Sequence, residues 1–164
     1  DHRDLHSFPT RRSSDLSFDY VWCQHTLLNL PNFKQGLAEI ARVLKPGGKL
    51  LLHEVLRGAN PEALVYPVPW ASNASTSHLF SLEELSAGLA EAGLAKFSCQ
   101  DITLAATQWR KKHTTKESQA SPTSAGLTTE VIFGKRFTQL GKNLMANLAA
   151  NKLQLIQGVV EKPA

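Results

Sequence analysis

The stretch from Ser17 to Val55 limits the possible folds more than any other: SFDYVWCQ, then LPNFKQGLAEIARVLKPGG, then KLLLHEV. In the first segment Phe18, Tyr20 and Trp22 alternate with Asp19, Val21 and Cys23, the period of a β-strand. The second sets Phe33, Leu37, Ile40, Ala41 and Leu44 on one helical face, with Lys34, Glu39 and Arg42 turned away. Asn32 can cap its first turn, and Pro46, Gly47 and Gly48 stop it. Lys49 to Val55 is apolar on both faces up to His53, as in a strand buried in a parallel sheet between helices. Strand, helix, Gly-rich turn and strand make a βαβ unit with a right-handed crossover, so an α/β layered fold is expected.

The rest of the chain continues in this style. Residues 56–80 carry Pro61, Pro67 and Pro69 in a connection too long and broken for an ordinary turn, which suggests a functional loop or lid. Ser81 and Glu84 are spaced as a capping box, Leu82, Leu85 and Leu89 form a buried stripe, and Gly93 is a C-terminal stop. Ala95 to Leu104 reads as a strand, 105–117 as a helix with a basic face, and QASPTSAG at 119–126 as a flexible break. Phe133, Phe137, Leu140, Leu144 and Leu148 then predict a long amphipathic helix from about Thr129 to Asn151, and Leu153 to Glu161 a closing strand.

The opening residues, DHRDLHSFPTRRSSDL, have neither helical nor strand period and match neither a secretory signal nor a transit peptide. Residues 1–16 resemble a translated sequencing adapter. An artefactual or disordered leader is expected there, followed by one domain over 17–164 whose upstream part is missing. The leader is charge-neutral, so the formal charge of +4 lies on the rest of the chain. That is too mild for a nucleic-acid-binding signature, and RKKH at 110–113 with Lys116 reads as a solvated face. Cys23 and Cys99 form no disulfide framework or metal pattern and point to free thiols in a reducing, cytoplasmic setting. No apolar run approaches the roughly 20 residues that span a bilayer, so no membrane partner is expected.

In open α/β sheets ligands gather at the carboxyl ends of the strands. The first such end is Trp22 to Asn29, where His25 and Asn29, four apart on a helical turn, would face one cleft. His25 there is either a general base or a structural histidine at a strand end. At the second end His53 and Glu54 either bond a cofactor or cap neighbouring backbone. Cys23 has no activating partner and is expected to pack. YPVPW at 66–70 holds Tyr66 and Trp70 on a stiff Pro-rich backbone. They either face a cationic ligand, which ring quadrupoles attract by about 0.5–2 kcal/mol, or anchor the loop to the core.

FDYVWCQHTLLNLPNFKQGLAEIARVLKPGGKLLLHEV resembles the fourth strand, following helix and fifth strand of class I S-adenosylmethionine-dependent methyltransferases, in the small-molecule branch with the sarcosine and dimethylglycine N-methyltransferases. The similarity is good over 17–57 and extends to Thr103 and over 153–161. It implies a Rossmann-like methyltransferase sheet truncated at its N-terminus, with 153–161 as an antiparallel strand inserted beside 95–104. Residues 104–152 exceed the family's usual hairpin and are expected to be a helical insertion that either caps the acceptor site or only packs. The fourth strand would be a central parallel one. By position the resemblance puts Trp22, Cys23, Gln24, His25 and Leu28 at the donor and acceptor pocket, with Trp22, Cys23, Gln24 and Leu28 expected at the cofactor and His25 at the reacting groups. From the residues themselves, Asn29, His53, Tyr66 and Trp70 are expected at the substrate. Relatives often carry a His where this chain has Asn29, which moves the general-base expectation to His25. Before residue 47 the only glycine is Gly36, in mid-helix, so the family's Gly-rich cofactor loop has no counterpart. The chain by itself is then expected not to hold its donor.

The expected function is methyl transfer from S-adenosylmethionine to a small-molecule acceptor, with this chain as the C-terminal part of the enzyme. The alternative from another class is a catalytically silent Rossmann-like binding or interaction module. A nicotinamide-dependent oxidoreductase fits less well, because nothing after residue 17 resembles its nucleotide fingerprint.

Overall fold

The computed structural model describes residues 15–119 and 134–164, so the expected break at 119–126 and the start of the long helix near Thr129 lie largely outside the described residues. Four strands form one sheet: β1 (Phe18–Gln24), β2 (Leu44–Arg57), β3 (Ala95–Asp101) and β4 (Leu153–Glu161), in the spatial order β1-β2-β4-β3. β1 runs parallel to β2 with Cys23 opposite Leu52, and β4 is antiparallel to both β2 and β3. The helices are α1 (Phe33–Val43), α2 (Leu82–Glu91), α3 (Thr103–Gln119) and α4 (Phe137–Ala149). The last strand thus sits between the two that precede it, as the family resemblance implies.

The two-residue period of the strands sorts the side chains into faces. On one face Cys23, Leu50, Leu52, Leu56, Ile156 and Val160 are buried against Leu37 and Ala41 of α1 and Leu85 and Leu89 of α2. Gly88 of α2 lets α1 approach closely, since a Cβ there would lie 3.1 Å from both Leu37 and Phe33. The opposite face is covered only near Arg57, where α3, α4 and the 58–80 loop lie over it. Farther back Trp22 and Tyr20 are 72% and 64% exposed. This corrects the expectation of a β2 buried between helices: among the described residues α1 and α2 bury one face of β2, and the other face is covered in part.

Two more expectations change. The central place expected for β1 does not hold, because β1 pairs only with β2 among the described residues and so forms the border. Nor does the third strand run to Leu104. α3 begins at Thr103 because Asp101 Oδ1 accepts the Thr103 N–H at 2.8 Å and turns the backbone. Thr103 Oγ1 accepts from Leu155 N at 2.8 Å, standing in for the next rung of the ladder. Local capping elsewhere follows the sequence. Asn32 accepts from Gln35 N at 3.2 Å, and Ser81 and Glu84 form the reciprocal box, with Glu84 N donating to Ser81 Oγ at 3.2 Å and Ser81 N to Glu84 Oε2 at 2.7 Å. Gly93 ends α2 at φ +74°, a left-handed conformation natural to glycine.

Candidate functional site

Immediately after β1 the chain turns through His25, whose φ is +49°. A residue with a side chain is uncommon there, and holding one costs of order 1–3 kcal/mol that the surroundings must offset. Three hydrogen bonds enforce the turn. His25 N donates to His53 O at 2.9 Å, and Thr26 N and Leu27 N donate to Glu54 Oε1 at 2.9 and 3.2 Å. Glu54 alternates with Leu50, Leu52 and Leu56 on the core face and is completely buried. Of the two readings for Glu54, it takes the backbone-capping one.

The Glu54 carboxylate is under tension from burial. Burial pushes its pKa above the usual 4.5, against the pull of the Thr26 and Leu27 N–H groups. Its Oε2 has no hydrogen-bond partner of normal length, and the Cys23 thiol, a weak donor, interacts with the carboxylate. Burial, and then the Glu54 charge, push Cys23 up to about 12. At neutral pH Cys23 is therefore a protonated, packed thiol with no nucleophilic role.

Beyond the turn lies a cavity of about 700 Å³. His25, Asn29, His53, Val55 and Leu155 form its floor at the carboxyl ends of β1 and β2. Pro69 and Trp70 of the loop, Ala106, Trp109 and Arg110 of α3, and Leu144, Met145 and Leu148 of α4 make its walls. The His25 and His53 rings lie with centroids 4.8 Å apart at 45°, and Asn29 Nδ2 donates to His25 O at 3.0 Å. Partial burial, and behind it the neighbouring His53, hold the His25 pKa below the usual 6.5. His25 is therefore a neutral imidazole near pH 7, able to accept a proton.

The sequence reading missed what fixes the wall. Asn147 lies on α4 with no exposed surface and binds one loop residue twice: Val65 N donates to Asn147 Oδ1 and Asn147 Nδ2 donates to Val65 O, both at 2.9 Å. One turn earlier Asn143 Nδ2 donates to Pro67 O at 2.9 Å. The signal was legible, since two asparagines four apart fall within the leucine pattern of a helix otherwise read as apolar. Trp70 both lines the cavity and anchors the loop, donating Nε1–H to Ser77 Oγ at 3.0 Å. Asn147→Ala is expected to leave both Val65 backbone groups unpaired and to cost about 2–3 kcal/mol, lowering the thermal midpoint by about 5–10 °C. Thermal unfolding of the variant beside wild type measures this.

Of the residues singled out in the sequence, His25, Asn29, His53 and Trp70 converge on this cavity. Tyr66 lies elsewhere, in a shallower depression of about 280 Å³ with Arg57 and Lys152, so Tyr66 and Trp70 form no common aromatic cage. Trp22 faces an open depression on the uncovered side of the sheet with Gln157 and Val159. Gln24 is exposed, whereas the Cys23 and Leu28 side chains are buried in separate core clusters. Trp22, Cys23, Gln24 and Leu28, expected at the methyl donor, thus line no common pocket among the described residues.

A sheet of order β1-β2-β4-β3 with its last strand antiparallel, and a cavity at the parallel strands' carboxyl ends, give a mixed α/β, Rossmann-like architecture. Known proteins point the same way. Residues 3–52 match the family described as a methyltransferase domain, a match that begins inside the opening stretch read as a leader. The 27-O-demethylrifamycin SV methyltransferase of Amycolatopsis mediterranei is 34% identical over 91 residues, covering 54% of this chain and 34% of that protein. Phosphoethanolamine N-methyltransferase 2 of Haemonchus contortus, solved with S-adenosyl-L-methionine, superposes with a TM-score of 0.71 at 18% identity, covering 92% of this chain and 34% of that one. A protein of Galdieria sulphuraria assigned as a sarcosine dimethylglycine methyltransferase gives a TM-score of 0.63 at 19% identity over 92% of this chain and 55% of that one. The chain thus spans about a third of the length of the rifamycin methyltransferase.

Proposed function

We propose that this chain is the C-terminal, acceptor-binding part of an S-adenosylmethionine-dependent methyltransferase acting on a small molecule. The observation that carries the reading is the convergence of His25, Asn29 and His53 on a cavity at the strand ends of a methyltransferase sheet, the place where this fold brings reactants together. S-Adenosylmethionine would supply an activated methyl group, held mainly by chain upstream of Ser17. The cavity residues would bind the acceptor, exclude water with α3, α4 and the 65–70 loop acting as a cap, and accept a proton at an imidazole. Methyl transfer asks chiefly for alignment, with reacting atoms about 3–3.5 Å apart, which a walled cavity provides. A buried, protonated Cys23 fits a reducing, cytoplasmic compartment, and among the described residues no helix is long and apolar enough to cross a membrane.

The test is calorimetry and thermal shift with S-adenosylmethionine on the protein restored to the length of its relatives. Saturable heat and a raised midpoint are expected, since a ligand that binds only the folded state stabilises it. No heat and no stabilisation would favour a silent binding module.

A further inference from the structure

Within the cavity, polar side chains gather at the strand ends, with Arg110 of α3 apart from them. His25, Asn29 and His53 lie at the strand ends, while Val55, Leu144, Met145, Leu148, Leu155 and Trp70 supply an apolar lining. Among the described lining residues Arg110 is the one lysine or arginine, and it sits 5.7 Å over the Phe137 ring. Neither aspartate nor glutamate is among the described lining residues. An amino-acid acceptor would find no carboxylate in that lining for its ammonium group and would leave most of 700 Å³ of apolar wall against water. A compact anion would meet a single guanidinium already over an aromatic ring. An apolar body of drug-like size matches both the volume and the walls.

We propose that the cavity takes an apolar acceptor, aromatic or similarly flat, that presents one hydroxyl to the His25–His53 pair. This deepens the methyl-transfer reading and rests on it for the word acceptor. The two rings, with centroids 4.8 Å apart, both line the cavity, so a hydroxyl bound at that end can donate to one imidazole nitrogen. In the transfer an oxygen lone pair would form the bond to the methyl carbon while the methyl–sulfur bond of the sulfonium donor breaks with its pair leaving on sulfur. The O–H bond breaks with its pair kept on oxygen, and the proton forms an N–H bond on the imidazole. The imidazolium then returns the proton to solvent through the cavity mouth. His25's lowered pKa keeps it in the neutral form this needs. A primary preference for hydroxyl over amine or carboxylate thus follows from the lining.

The experiment uses this chain without donor, and probes 2-naphthol, 2-methylnaphthalene and sarcosine, read by tryptophan fluorescence and by histidine side-chain ¹⁵N chemical shifts. The expected result is saturable 2-naphthol binding about five-fold tighter than that of 2-methylnaphthalene, the ratio of one net hydrogen bond. The His25 and His53 ring nitrogens should shift with 2-naphthol alone, sarcosine should not displace it, and Met145→Trp should abolish binding by filling the space. Equal affinity for the two naphthalenes, no binding, unmoved ring nitrogens, displacement by sarcosine, or unchanged binding in folded Met145→Trp would each overturn the proposal. The ring shifts place the probe even where that variant does not fold. Since no donor is present, these results stand or fall separately from the S-adenosylmethionine titration.

Discussion

Replacing His25 by Asn in the protein restored to the length of its relatives is expected to lower methyl transfer to a hydroxylated acceptor by about 10²- to 10⁴-fold, the usual range for a lost general base. Asn is the right substitution because His25 sits at φ +49°, a conformation Asn tolerates better than Ala does. The backbone should therefore keep the turn, and only the proton acceptor is removed. Affinity for the hydrocarbon probe should hardly change, because the apolar walls remain. Steady-state kinetics measure the loss, and the expected signature is a fall in kcat rather than a rise in KM. Wild-type turnover in the variant would remove His25 from the chemistry.

Glu54→Ala is expected to cost about 3–4 kcal/mol of stability and, in this size range, about 6–15 °C in the thermal midpoint. The Thr26 and Leu27 N–H groups, both bonded to Glu54 Oε1, would lose their acceptor beside a buried turn. The same change should release the His25 turn, so the His25 ring resonance should shift toward that of an ordinary exposed histidine. Glu54→Gln offers a milder test with a definite pH signature. In the folded protein the Glu54 pKa stands above 4.5, so between 4.5 and its folded value the native state binds more protons than the unfolded chain. Wild type therefore loses stability from this group as pH rises through that window. The neutral amide does not, so Glu54→Gln relative to wild type should gain stability with rising pH. Urea unfolding of both proteins between pH 4 and 8 measures the gap, and a constant gap would contradict the burial account.

What the sequence made readable follows how locally each feature is determined. The capping box at Ser81 and Glu84 and the strand from Leu153 to Glu161 depend on residues close in the chain, and both stand where the pattern puts them. The end of the third strand escapes such a reading because Asp101 is an unremarkable polar residue until its side chain is seen to bond Thr103 N. β1's place at the sheet border depends on which strands lie beside it, a long-range property that no period along FDYVWCQ encodes. Of the site, His25 with Asn29 was legible from four-residue spacing and His53 from its position at a strand end. The Asn147 clamp on Val65 joins residues 82 apart in the chain, so the two asparagines within the leucine pattern mark a buried polar pair but not the partner it binds. Glu54 was half legible, since alternation with Leu50, Leu52 and Leu56 already marks the core face.

In the proposed reaction the methyl group arrives at the His25–His53 end of the cavity. A crystal structure of the protein restored to its relatives' length, with S-adenosylhomocysteine bound, tests it most directly. The sulfur is expected to open onto the cavity beside the two imidazoles, leaving room for one acceptor oxygen about 3–3.5 Å from where the methyl carbon would sit. A sulfur facing the Trp22 side of the sheet, with the His25 cavity walled off from it, would contradict the account.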